Sequence, residues 1–198
     1  TIYQDYKRHY SDTKNTVCKV LEGLANKYKN NEFTIALTGS GAMSTAKFLD
    51  VPFIQEVVAC KRAVERYIPK TDVVIELGGE DAKILYFDKF IEQRMNGTCA
   101  GGTGAFLDQM AVLLNTTTEG LNELAANGTT IYPIASRCGV FAKTDVQPLL
   151  NEGAKKEDIA LSILQAVVNQ TVSGLACGKP IKGNVIFLGG PLNYLSML

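Results

Sequence analysis

The chain has 198 residues, 46% of them hydrophobic and 20% charged, with 18 glycines and 6 prolines, a composition that excludes a disordered or low-complexity protein and leaves room for one domain or two small lobes. Lysine and arginine total 20 against 20 aspartate and glutamate, and the balance holds on both sides of Cys99, 14 against 13 up to it and 6 against 7 beyond it. No basic half exists to grip a nucleic-acid backbone, and the longest apolar runs, such as 159–168, are interrupted by Ser162 and Gln165 and too short to span a membrane.

Within 12–29, Val17, Val20, Leu21, Leu24 and Tyr28 recur at helical spacing, and the apolar run 33–37 reads as a buried strand ending in the turn Thr38-Gly39-Ser40-Gly41. A second helix is predicted over 53–67, stopped ahead of Pro69. The β-rich runs 72–77 and 83–87 flank Gly78-Gly79-Glu80-Asp81, and a third strand starts near Phe90, which makes an antiparallel meander with a glycine hairpin. A glycine-rich loop, 96–104, then feeds a helix over 105–114. Shorter helices are predicted near 118–126 and 144–151. A long helix over 156–176 ends before Gly178 and Pro180, and the strand 184–188 closes on Gly189-Gly190-Pro191. Alternating strands and helices indicate an α/β fold.

The chemistry sits in the turns. Glycines at 78 and 79 let backbone N–H groups approach a phosphate, and Glu76, Glu80 and Asp81 beside them can hold a hydrated Mg²⁺ or orient a water; the alternative is a plain hairpin with solvated acids. Gly189-Gly190 also follows a buried strand, the position where ligands gather in α/β sheets. Neither a Walker loop nor a dinucleotide fingerprint is present, since Gly174–Gly178 lacks the spacing and Gly39-Ser40-Gly41 lacks the third glycine.

Five cysteines without a secretory leader point to a cytoplasmic protein with metal or redox chemistry rather than disulfides. Cys99 and Cys138 both precede predicted helices, whose N-terminal dipoles stabilise a thiolate. Each is a candidate metal ligand, with inert burial as the alternative. Neither belongs to a Cys-x-x-Cys pair, so a four-cysteine cluster needs a second copy of the chain. His9 is the single histidine and sits in a polar terminal stretch, which leaves little for a zinc site or a histidine triad.

The segment Cys99-Ala100-Gly101-Gly102-Thr103-Gly104-Ala105-Phe106-Leu107-Asp108 resembles the ATP-dependent activators of 2-hydroxyacyl-CoA dehydratases and the related ATPase subunits of benzoyl-CoA reductases, the BadF/BadG/BcrA/BcrD type within the actin and sugar-kinase superfamily. The resemblance runs through an ordered series: the Thr38–Gly41 turn, the 76–83 phosphate motif, the Cys99 loop, Cys138-Gly139-Val140-Phe141-Ala142, and Gly189-Gly190 for the adenosine. It implies an actin-like (ribonuclease-H-like) α/β fold, a mixed sheet flanked by helices. Residues 1–70 would be the remainder of the first ATPase lobe and 71–198 the second lobe, with the chain cut at both ends.

By the same resemblance Glu76 and Asp81 take catalytic positions, Glu76 orienting the attacking water or the Mg²⁺ shell. Gly78, Gly79, Glu80, Gly102, Thr103, Gly104, Gly189 and Gly190 surround ATP. Cys99 and Cys138 supply half of a [4Fe-4S] cluster shared in a homodimer, or with a second activator module, under anaerobic conditions. ATP hydrolysis would drive a low-potential electron to a dehydratase or reductase component. The sequence departs from the family pattern at Cys60, where a histidine is expected, at Glu76 for Asp, at Glu80 for Gln, and at Lys143-Thr144-Asp145 for Glu-Ser-Glu; the first phosphate hairpin is absent. Its closing segment looks most like activator modules of large fused proteins, and the chain alone is expected to hydrolyse ATP negligibly. The competing expectations are a redox-inert actin-like module kept for assembly or regulation, and a kinase of the same superfamily.

Overall fold

The structure is a computed structural model that describes residues 2–10, 12–96, 101–135 and 138–198. Contacts divide it into two units, Thr1–Pro69 and Lys70–Leu198.

In the first unit, Asp12 caps α1 (Thr13–Lys27), its carboxylate accepting from Asn15 N–H at 3.4 Å. The apolar stripe Val17, Val20, Leu21, Leu24 and Tyr28 is present but only half buried. The predicted strand 33–37 shrinks to β1 (Leu37–Thr38), which pairs in parallel with β2 (Phe53–Ile54). A ladder extends only as far as its partner, so Phe33 is left half exposed. A short helix that periodicity did not reveal, α2 (Met43–Leu49), connects the two strands, and α3 begins at Glu56 (Glu56–Tyr67) because Phe53 and Ile54 are committed to β2. Among the described residues of this unit, Ala46 and Val64 alone are buried.

The second unit carries the core. The runs around Gly78-Gly79 form β3 (Val73–Leu77) and β4 (Ala82–Phe87), followed by β5 (Ile91–Met95); β6 (Val185–Leu188) returns to lie beside β3. The sheet order is β5-β4-β3-β6, antiparallel throughout except for the parallel pair β3 and β6. Strand alternation sends Val73, Ile75, Leu77, Ala82, Ile84 and Tyr86 into one cluster with Phe106, Leu107 and Met110 of α4 (Gly104–Leu113), Leu121 of α5 (Thr118–Ala125), Val146 of α6 (Gly139–Asn151) and Ile159 and Ile163 of α7 (Lys156–Asn169). The mixed sheet with its helices is the α/β arrangement read from the sequence.

The long predicted helix over 156–176 changes character at its end. α7 stops at Asn169 and Gln170–Leu175 continue as a π-helical turn, a wider winding common where side chains crowd the ladder. A Cβ on Gly174 would lie 2.5 Å from Gln170 Nε2, so the glycine leaves room for that side chain. Arg94 of β5 then donates to the carbonyls of Leu175 (3.5 Å) and Ala176, satisfying acceptors that the helix end leaves open. Lys179 bonds Glu92 at 2.6 Å and lies 4.2 Å from the centre of the Tyr86 ring. Hydrogen bonds from Lys179 and Arg94 hold the Glu92 carboxyl below its ordinary range; burial pushes the Tyr86 phenol up.

Candidate nucleotide site

The turn between β3 and β4 is closed by Gly78 N–H donating to Asp81 C=O at 2.7 Å. The first amides of α4 grip it from below: Gly104 N–H donates to Gly78 C=O at 2.9 Å and Ala105 N–H to Gly79 C=O at 2.7 Å. A Cβ at position 104 would sit 3.3 Å from Gly79 Cα, so glycine allows this close docking. Asn96 anchors the neighbouring strand end, donating its N–H to Ala82 C=O at 3.0 Å and accepting from Ala82 N–H through Oδ1 at 2.8 Å. With the turn's carbonyls turned toward α4, no backbone carbonyl among the described residues accepts from Gly79 or Glu80 N–H. A Cβ on Gly79 would meet nothing within 4 Å, so that side of the turn is open.

The second Gly-Gly turn lies against the first. In the parallel ladder Leu188 pairs with Glu76, and the next residue, Gly189, crosses the end of β3 so closely that a Cβ would be 2.0 Å from Leu77 O. Its φ of 97° is one that L side chains rarely adopt. α8 (Gly190–Tyr194) starts immediately afterwards. Two motifs more than a hundred residues apart thus meet at the carboxyl ends of adjacent parallel strands, the crevice position of α/β ligand sites.

Charge at the turn is not purely negative. Lys83 pairs with Glu76 across β3 and β4, its ammonium 3.6 Å from Glu76 Oε1 and 3.9 Å from Asp81 Oδ2. The lysine side chain is 5% exposed, Glu76 18% and Asp81 34%. Sequence reasoning carried Lys83 as the last residue of the 76–83 phosphate motif and gave it no role of its own; cross-strand register with Glu76 was the signal that could have assigned one. The partly exposed oxygens of Glu76 and Asp81, beside amides that no backbone carbonyl among the described residues uses, are the groups here that could meet a hydrated divalent cation carried by a phosphate chain.

Gly102 and Thr103, singled out in the cysteine loop, are buried, and Gly104 opens α4. Cys99 lies outside the described residues. Cys138 occupies the N-cap position of α6, half-buried and extended, with Val140 and Phe141 exposed just beyond it. The helix starts at Gly139, five residues earlier than periodicity predicts, and there it meets α4: a Cβ on Gly139 would be 2.7 Å from Gln109 Oε1.

The chain leading toward Cys138 is pinned by three side chains that sequence reasoning did not assign. Asp158 accepts from Thr129 N–H at 2.7 Å and Thr130 N–H at 2.9 Å, Ser162 Oγ from Tyr132 N–H at 2.8 Å, and Asp145 from Ala135 N–H at 2.8 Å. The amides of Thr129 and Thr130 hold the Asp158 carboxyl below its ordinary range. Among the described residues no group of three or more histidine, cysteine, aspartate or glutamate side chains is arranged to hold a metal, and none of their helices is long and apolar enough to cross a membrane.

This sheet, with nucleotide-type turns at the ends of β3 and β6, defines an actin-like ATPase fold: the activator of 2-hydroxyisocaproyl-CoA dehydratase from Clostridium difficile, solved with bound ADPNP, superposes with a TM-score of 0.80 at 33% identity, over 93% of this chain and 70% of that one. The chain belongs to the BadF/BadG/BcrA/BcrD ATPase family, which it matches over residues 7–198. It is 36% identical over 160 residues to the 2-hydroxyisocaproyl-CoA dehydratase activator of Clostridioides difficile, covering 79% of this chain and 59% of that protein. With the (R)-2-hydroxyglutaryl-CoA dehydratase activating ATPase of Acidaminococcus fermentans it shares 34% identity over 178 residues, 88% of this chain and 67% of that one. The chain therefore spans about three fifths to two thirds of the length of these relatives.

Proposed function

We propose that this chain is the nucleotide-binding part of an ATP-dependent activator that drives a low-potential electron onto a 2-hydroxyacyl-CoA dehydratase or benzoyl-CoA reductase-type partner. The observation that carries the reading is the meeting of the Gly78–Gly79 and Gly189–Gly190 turns at the ends of parallel strands, in a fold shared with an activator solved with ADPNP. Residues 1–70 act as the remainder of a first ATPase lobe and 71–198 as the second. Gly79 and Glu80 offer amides to the phosphates. Glu76 and Asp81 face the Mg²⁺ shell and orient the water that attacks the terminal phosphoryl group, with Gly102, Thr103 and Gly104 shaping the turn from beneath. Gly189 and Gly190 pack on the nucleoside.

Cys138 and Cys99 are the ligands this chain would give to a [4Fe-4S] cluster, a second copy supplying the other two. That group, when bound, carries the transferred electron. The thiol of Cys138 at a helix start, partly accessible and flanked by exposed Val140 and Phe141, suits a site shared across two copies. Anaerobic reconstitution of the full-length protein tests this: about four irons per dimer are expected, and C99S or C138S should each abolish them while C18S, C60S and C177S do not. Iron retained in both C99S and C138S would leave the redox-inert module as the better reading.

A further inference from the structure

Lys83 stands out as a buried cation among apolar strand residues. Its neighbours Ile84 and Leu85 are at most 1% exposed, and a whole buried ion pair replaced by packed hydrocarbon is commonly neutral or stabilising, so the fold alone does not call for a cation here. Its placement has a different logic. The 76–81 segment carries three carboxylates, Glu76, Glu80 and Asp81, and a polyphosphate brings more negative charge to the same place. The ion pairs of Lys83 with Glu76 and Asp81, at 3.6 and 3.9 Å, are longer than N–H···O hydrogen bonds. The ammonium therefore acts on Glu76 and Asp81 as a shared point charge, its stem fixed by the β3–β4 ladder.

We propose that Lys83 is a positioning residue of the nucleotide site: it holds Glu76 and Asp81 together at the strand ends and offsets their charge, so that the turn accepts a metal-bound phosphate chain. This rests on the nucleotide-site reading given above.

A double-mutant cycle on the full-length protein decides it, read by calorimetric titration with Mg²⁺-ADP at neutral pH and by ATP turnover. K83M should weaken Mg²⁺-ADP binding by about tenfold or more, while K83R stays within about threefold of wild type. In the E76Q background, K83M should cost no more than about threefold, because the nearer and more buried of the two charges it serves is gone and only Asp81 remains. A purely structural lysine would instead cost the same factor with and without Glu76, and that result, or wild-type binding by K83M, overturns the proposal. If K83M does not fold, K83R against wild type and E76Q/K83M against E76Q carry the decision: a loss above about tenfold in either comparison overturns it. Failure of the wild-type protein to bind Mg²⁺-ADP at all would overturn the nucleotide-site reading itself.

Discussion

The Gly78–Asp81 turn and the segment leading to Cys138 are both held in place, and by different means. The turn is held by backbone: Gly78 to Asp81 within it, Gly104 and Ala105 from α4 beneath it, Gly189 pressed on Leu77 beside it. The approach to Cys138 is held by side chains, with Asp158, Ser162 and Asp145 accepting amides of a stretch that has no ladder of its own. Backbone clamps depend on the absence of side chains and are indifferent to pH. Carboxylate clamps tolerate substitution nearby but weaken when protonated. The turn proposed to present amides to phosphate is held by the first kind, and the segment ending at a partly accessible thiol by the second.

Replacing Gly189 is the most damaging way to break the backbone side of this comparison. In G189A the new Cβ meets Leu77 O at 2.0 Å while φ stays at 97°, and strain with overpacking together should destabilise by about 2–5 kcal/mol. Chemical denaturation should show the midpoint fall, with nucleotide binding lost in the fraction that remains folded. A midpoint unchanged within error would mean that the two turns are not packed as described.

Acid tests the other side with a smaller effect. The Asp158 carboxyl is held low by the amides of Thr129 and Thr130. Its contribution is therefore complete above the ordinary aspartate value of about 3.9 and is lost as pH falls through the lower folded value. Stability measured downward from pH 5 should decline more steeply for wild type than for D158N, which lacks the titrating group, and the two should run parallel above pH 5. Hydrogen exchange at Thr129 and Thr130 should speed up over the same acid window, with the amides at Gly104 and Ala105 unaffected. Identical slopes in the two proteins would remove the carboxylate clamp.

How much of this was legible follows from the same distinction. β3, β4 and β6 and their glycine turns were readable because β-branched runs bounded by glycine carry local information. That Gly189 would abut Leu77, or that Gly104 would spend its amide on Gly78, depends on packing between distant segments. Phe33 to Ala36 read as strand on their own residues, yet only Leu37 and Thr38 found a partner. The helix over 156–176 looked continuous, yet it continues as a π-helical turn over Gln170–Leu175, where a Cβ on Gly174 would lie 2.5 Å from Gln170 Nε2. Lys83 and Asp145 were visible as letters and illegible as roles, since nothing local says which charged side chains will be buried or will turn back on the backbone.

The smallest structural change gives the sharpest functional test. Gly79 differs from Gly189 in both respects that matter: its φ is not positive, and a Cβ there would meet nothing within 4 Å. G79A should therefore leave stability within about 0.5 kcal/mol of wild type, the ordinary range for a substitution in open space. The same methyl group stands beside turn amides, those of Gly79 and Glu80, that no backbone carbonyl among the described residues uses. A phosphate that must approach those amides at hydrogen-bond distance collides with the methyl, and losing even one such contact weakens binding about tenfold. The expected result is a protein that melts like wild type and binds Mg²⁺-ADP about ten times more weakly. Unchanged affinity would place the phosphates elsewhere along the sheet end, leaving the Gly78–Asp81 turn as structure alone, whereas a large loss of stability would show that the open side of the turn is covered.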